Sequence, residues 1–429
     1  MKEKILFMFL LGLFLISFVS AAVVNISDCD DWLNITSNSS TDYTLTNDID
    51  CSGYTQNHVY SIGYANITGN SYTISNLVII ECSFGSIGVM KDLFFENVTV
   101  YDSGGSSGIF CSSGTSNVII QNVHATGNVY GGDYEYSGGL VQQNEGVMDN
   151  CSFIGYVEGA GGLVGQNDAT IKNSYFIGTL NSTLSTVSNS ADGIGLGGGL
   201  VGWNFGYIET SYAKGDVYGL NATGGLVGES YGFSGDYLGI VNNSYFIGNV
   251  SGDSYLGGLI GYAVNGSYGD IFNSYAVADV NGIAYIGGLI GDVDAAECFD
   301  SYYNTDLETN SSCGTGKTTE EMVLEATYEN WDFVNIWQID EGETYPYFLY
   351  EESGYSPFPP EVPSEEEPQY LSNPIYQLLD SVGAGLYFFI FNIGRALPYL
   401  LIVLIIVGVI YIMIKAIAAK ITDSIKIRK

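Results

Sequence analysis

Between residues 138 and 293 the chain repeats a pair of glycines followed by two aliphatic residues. The copies are GGLVQQN from Gly138, GGLVGQN from Gly161, GGLVGWN from Gly198, GGLVGES from Gly224, GGLIGYA from Gly257 and GGLIGDV from Gly287. Each is answered downstream by a second unit: NCSF from Asn150, NSYF from Asn173, TSYA from Thr210, NSYF from Asn243, NSYA from Asn273 and DSYY from Asp300. One glycine pair follows the last after 23 to 37 residues, and the extra length falls just before or just after the second unit. A unit this short cannot bury an apolar face alone, so neighbours must stack on one another, with the variable lengths looping out sideways.

The pattern predicts an all-β fold, a parallel β-helix (solenoid). In runs such as Ile-x-Asn-Ser-Tyr alternate side chains turn inward, and equivalent positions on adjacent rungs lie about 4.8 Å apart. Tyr175, Tyr212, Tyr245, Tyr275 and Tyr302 are therefore expected to stack as an aromatic ladder, and Asn173, Asn243 and Asn273 as an amide ladder. Paired glycines suit positive-φ corners and close approach of rungs. The first third is more divergent: TLTNDIDCSGY from Thr44, NSYTISNLVI from Asn70 and DLFFENVTV from Asp92 alternate as strands, and SGIFCSS from Ser107 takes the place of a glycine-pair unit. Atypical terminal rungs are expected where a stack must close its core.

These units closely resemble GLUG-motif repeats of prokaryotic cell-surface proteins. TLTNDIDCSGY is similar to that family's opening segment, and GTGKTTEEM from Gly314 with WDFVNIWQIDEGETYPYF from Trp331 to its closing cap. The resemblance, over about residues 40–350, implies a parallel β-helix with a surface, often adhesin-like, role and no catalytic residues. Gln142, where a glycine is expected, and the irregular segment 81–137 depart from it.

The termini set the expected location. Residues 1–22 read as a signal peptide: Lys2 and Lys4 precede an apolar stretch that ends in Ser20, Ala21 and Ala22. Residues 396–414 carry no charge and as a helix would span roughly 28 Å, enough for one transmembrane helix. The tail 415–429 is basic, which places it in the cytoplasm in a single-pass type I membrane topology. That leaves an extracellular β-helix ectodomain at 23–350, a Pro/Glu-rich stalk at 351–374 and an apolar juxtamembrane segment at 375–395.

Export permits disulfides. Cys29 with Cys51 and Cys298 with Cys313 are candidate local pairs; seven cysteines leave at least one unpaired within the chain or pairing between chains. Candidate N-glycosylation sequons begin at Asn25, Asn34, Asn38, Asn66, Asn97, Asn181, Asn221, Asn242, Asn249, Asn265 and Asn310; Asn150, inside a rung unit, is set apart as buried.

Composition bears mainly on what the chain does not do. Formal net charge is −35, and the exported body holds only Lys91, Lys172, Lys214 and Lys317 as cations, so no nucleic acid partner is expected. GTGKTT at 314–319 lacks the first glycine of a phosphate-binding loop. No metal or other cofactor is expected: calcium-loop spacing is missing, and His58 and His124 are far apart in sequence. Polysaccharide-active β-helices offer the competing reading, an enzyme working through paired carboxylates such as Asp133 and Glu135, Asp292 and Asp294, or Asp300 and Asp306. The expected function is surface display or adhesion to a partner cell, surface protein or glycan, without catalysis; a structural envelope component is the third reading.

Overall fold

The computed structural model describes residues 22–35, 41–54, 66–80, 88–101, 107–110, 118–131, 136–183, 195–232, 238–265, 270–294 and 296–351. Nearly all of the signal-like segment, the stalk beyond its first residue, the apolar segment 375–395, the expected span 396–414 and the tail lie outside the described residues. Among those described, no helix is long and apolar enough to cross a membrane.

The body is all-β, and its rungs pair in parallel. A 19-stranded sheet forms one face, six-stranded and four-stranded sheets form the others, and an antiparallel pair, Trp337–Gln338 with Tyr347–Phe348, lies in the closing segment. Register is kept residue for residue: Tyr175–Asn181 lies on Ser152–Glu158 on one side and on Tyr212–Tyr218 on the other. The Gly-Gly units supply the smaller sheets, through Asn221–Gly224, Ser254–Gly257 and Ala284–Gly287 in one and strands such as Val164–Asn167 and Val201–Asn204 in the other.

Each position of the repeat has a physical task. The leucine after the glycine pair points inward, and Leu163, Leu200, Leu226, Leu259 and Leu289 are wholly buried. The residue after the tyrosine also points inward, giving the column Phe153, Phe176, Ala213, Phe246, Ala276 and Tyr303. The second glycine lies against that column. A methyl group at Gly162 would strike the Phe176 ring and the Gly199 carbonyl; at Gly225 it would strike the Phe246 ring and the Gly258 carbonyl.

The Asn-Ser-Tyr unit makes the corner. Asn150, Asn173, Thr210, Asn243, Asn273 and Asp300 all have φ between 44° and 55°, a left-handed conformation that asparagine and aspartate enter more easily than most residues. The following serine faces inward and ties rungs together. The amides of Ser174, Ser211, Ser244 and Ser274 donate to the hydroxyls of Ser211, Ser244, Ser274 and Ser301 at 3.0–3.3 Å. Each of the hydroxyls from Ser174 to Ser301 donates in turn to the carbonyl two residues earlier in its own rung.

At the N-terminal end the short helix Cys29–Leu33 buries Trp32 completely, 5.7 Å from the Phe95 ring. Disulfides join Cys29 to Cys51 and Cys298 to Cys313, and Cys151 is a buried free thiol. Thr315–Lys317 is a strand on Tyr302–Asn304, and Thr318 with Glu321 forms a capping box for Thr319–Met322. The GTGKTT segment thus spends its backbone donors on its own chain.

Replacing Gly225 with Ala is expected to lower unfolding stability by about 1–3 kcal/mol or more, as followed by thermal or denaturant unfolding. An unchanged midpoint would contradict the assigned contact.

Candidate functional site

The residues on the outer surface of the 19-stranded sheet form one continuous column: Thr73, Phe94, His124, Ser152, Tyr175, Tyr212, Tyr245, Tyr275 and Tyr302. The tyrosines from 175 to 275 stack with centroids 4.9, 4.9 and 5.0 Å apart and interplanar angles of 4–8°. Such pairs contribute about 0.5–1.5 kcal/mol each beyond their buried area.

The closing segment does not present the ladder to solvent; it runs across it. Tyr328 and Trp331 meet Tyr302, Trp337 and Tyr345 meet Tyr275, and Phe348 meets Tyr245 and Tyr212. Tyr245 and Tyr275 are thereby buried. The Tyr275 hydroxyl donates to the Pro346 carbonyl at 2.6 Å. The tyrosines stack as expected, and at these rungs a lateral strap covers them.

The strap ends on a buried ion pair. In the neighbouring outward column Lys214 stands between Ile177 and Ile247. Its Nζ lies 2.7 Å from a Glu351 carboxylate oxygen, with both side chains about 5–6% exposed, and 4.5 Å from the Tyr212 ring centroid. The Tyr245 hydroxyl donates to the same carboxylate at 2.8 Å. Burial pulls the Lys214 amine below its ordinary value, and Glu351 partly offsets this. One residue earlier, the Tyr350 hydroxyl donates to the Thr210 carbonyl at 2.9 Å.

Beyond that point no described residue crosses the same face. A groove of about 500 Å³ is lined by Phe94, Glu96, His124, Thr126, Ile154 and Tyr175, among others. His124 stacks on Phe94 at 5.3 Å, with Nδ1 2.8 Å from the Ser152 hydroxyl and Nε2 3.1 Å from the Asn122 side-chain oxygen. Burial holds the imidazole below its usual value, so it is uncharged at neutral pH. Ser152, His124 and Asn122 are linked in that order, and Ser152, though only 1% exposed, is one of the residues that line the groove.

The asparagines divide differently from expectation. Asn173, Asn243 and Asn273 share the corner position, but no continuous amide ladder forms there: Thr210 interrupts the series, Asn173 donates to Asp149 at 2.8 Å, and Asn243 accepts from the Trp337 indole at 3.3 Å. The amide ladder runs instead through buried Asn144, Asn167 and Asn204, with bonds of 2.8 and 2.9 Å; these are the last residues of GGLVQQN, GGLVGQN and GGLVGWN. Of the sequons, Asn25, Asn34, Asn97, Asn249 and Asn310 are exposed, while Asn66, Asn181, Asn221 and Asn242 are half-buried. Asn150 is exposed because its left-handed corner turns it outward. Asn38 and the side chain of Asn265 lie outside the described residues.

Changing Glu351 to Ala leaves Lys214 buried without its carboxylate and is expected to weaken strap docking by about 3–5 kcal/mol. Hydrogen exchange across 318–351 would read this; unchanged protection would refute the assigned pair. A second expectation concerns alkaline pH. Burial first, and neighbouring carboxylates or phenols second, hold the hydroxyls of Tyr245, Tyr275 and Tyr328 well above 10. A phenol raised in the docked state favours docking below pH 10, and this favour is lost as pH rises beyond it. Lys214, lowered when docked, acts in the opposite sense but is one group against three. The strap should therefore release above pH 10, with tyrosinate absorbance and strap proteolysis rising together; independent titration of each would count against it.

The GLUG motif matches residues 156–181 and 252–281. No curated protein matches the sequence. Among solved structures, a Bacteroides ovatus protein provisionally assigned as an immunoglobulin A1 protease is 19% identical, over 76% of this chain and 92% of that one, with a TM-score of 0.36. An IgA1 protease is 16% identical, over 71% of this chain and 24% of that one, with a TM-score of 0.40. Neither likeness bears on activity. The two motif matches each fall on a rung of the parallel stack, so GLUG motifs are present at two of its repeats.

Proposed function

We propose that the chain is a surface-displayed, non-catalytic solenoid that adheres to a partner cell or glycan through the open stretch of its outer face. One observation carries this reading. The outward column is covered by the strap from Tyr302 to Tyr212 and is left as an aromatic- and aliphatic-lined groove from Tyr175 back to Thr73. A shallow groove of this composition suits stacking against a sugar ring or an apolar side chain, with Glu96 and Thr126 at hand for hydrogen bonds. The signal-like start and the uncharged run at 396–414 support display outside a membrane. Single shallow contacts of this kind bind weakly and gain strength when many copies act together.

The test is retention of cells or glycan-coated beads by the exported body presented in multiple copies on a surface. Replacing Ile154 with Asp and Tyr175 with Ala should cut retention about tenfold, the order expected when contacts worth 1–2 kcal/mol are removed. Retention that is absent from the start, or is indifferent to both changes, would refute the reading. Release of oligosaccharide from the same beads would favour the enzyme instead.

A further inference from the structure

A second aromatic surface lies on another side of the solenoid, where the Ser254–Gly257 and Ala284–Gly287 strands meet Ile260–Asn265 and Ile290–Val293. Tyr255 and Tyr285 stack there with centroids 4.6 Å apart and an interplanar angle of 1°. Tyr262 leans on Tyr255 at 5.0 Å and 39°. Tyr285 is 55% exposed. In the facing sheet Asp292 is in register with Tyr262, and Asp294 follows two residues later, exposed. Burial, then a hydrogen bond to Asp294, pushes the Tyr262 hydroxyl up to about 12, so at neutral pH the phenol is a donor held beside a carboxylate.

Ala222, Tyr255 and Tyr285 occupy the same position of successive rungs, and all three are left-handed, with φ of 46°, 56° and 53°. A bulky side chain is unusual in that conformation, and at Ala222 the solenoid closes with a methyl group. Tyr255 and Tyr262 pack in part against the buried cluster of Ala160, Leu196, Trp203 and Ala222, whereas Tyr285 is displayed to solvent at a conformational cost.

Their surroundings restrict what could bind. Lys172, Lys214 and Lys317 are paired elsewhere, with Asp149, Glu351 and Glu321, while Asp292, Asp294 and, one rung below Tyr262, Glu229 put acid around the rings. A uronate or sialyl group would be repelled. An uncharged pyranose can lay its C–H face on a tyrosine ring and donate its hydroxyls to the carboxylates.

We propose that Tyr255, Tyr262 and Tyr285, with Asp292 and Asp294, form a second binding site, for a neutral pyranose glycan. The site extends the adhesive reading to another face and does not depend on the groove.

The test uses the full chain in detergent micelles, immobilised and probed with neutral oligosaccharides (gluco-, manno- and N-acetylglucosamine series), sialylated and uronate oligosaccharides, and chitosan oligomers and choline as cations. At least one neutral series should bind, with affinity falling at least tenfold in Tyr285→Ala and several-fold in Asp294→Asn. Tyr285→Ala adopts what Ala222 already shows the fold accepts, so its unfolding midpoint should match the parent; Tyr285→Trp should keep binding and covers the case in which it does not. Absence of neutral binding, binding confined to acidic or to cationic probes, or affinity indifferent to Tyr285→Ala with Tyr285→Trp equally silent would each overturn the site. Loss of cell retention in the groove variants with neutral-sugar binding intact would leave this site standing; the converse would leave the groove.

Discussion

Everything in this body depends on one close approach, that of the second glycine of each pair to an aromatic or small side chain of the inner column. Stacked strands leave little room between opposite walls, and the wall is bare backbone at Gly162 and Gly225 where Phe176 and Phe246 press against it. With the walls at that separation, leucines close the third side, serines relay hydrogen bonds from rung to rung, and buried asparagines saturate one another. The register that makes all of this repeat follows from parallel pairing, in which any one-residue slip would turn the inner column outward.

The outer face follows a different logic. Rows of tyrosine stacked at 4.9–5.0 Å would expose a large apolar strip, of a size that soluble surfaces seldom leave uncovered. The strap covers it, and its aromatic residues continue the packing that the ladder begins. The Lys214–Glu351 pair adds position more than stability, since a buried ion pair is stabilising only to the extent that its partners offset their own desolvation. It sets where along the ladder the strap finishes, and so where the open groove begins.

Much of this was legible in the residues. Period, strand alternation and the Asn-Ser-Tyr corner could be read because they arise from short-range geometry repeated many times. What was not legible arises from contacts distant in sequence. Glu351 meets Lys214 across 137 residues, and the local pattern around either gives no direction to the other; the one available signal was a lone cation in a column otherwise occupied by Ile177, Ile247 and Val277. Likewise, alternation assigns the tyrosines to one surface of a sheet but does not say that a later segment lies over them. The buried amide ladder was misplaced because Asn173, Asn243 and Asn273 stand in the more conspicuous motif, whereas Asn144, Asn167 and Asn204 end the glycine units and alone face the interior in unbroken succession.

The lateral course of the strap also constrains how such a chain can change in size. A segment fastened at both Tyr302 and Lys214 has a fixed reach, so a duplicated or deleted coil between those points would pull its aromatic rings out of step with the ladder beneath. Among the described residues, coils upstream of Tyr175 carry no such tether. Variation in copy number should therefore accumulate toward the amino-terminal half, lengthening or shortening the open groove while the strapped half keeps a constant gauge.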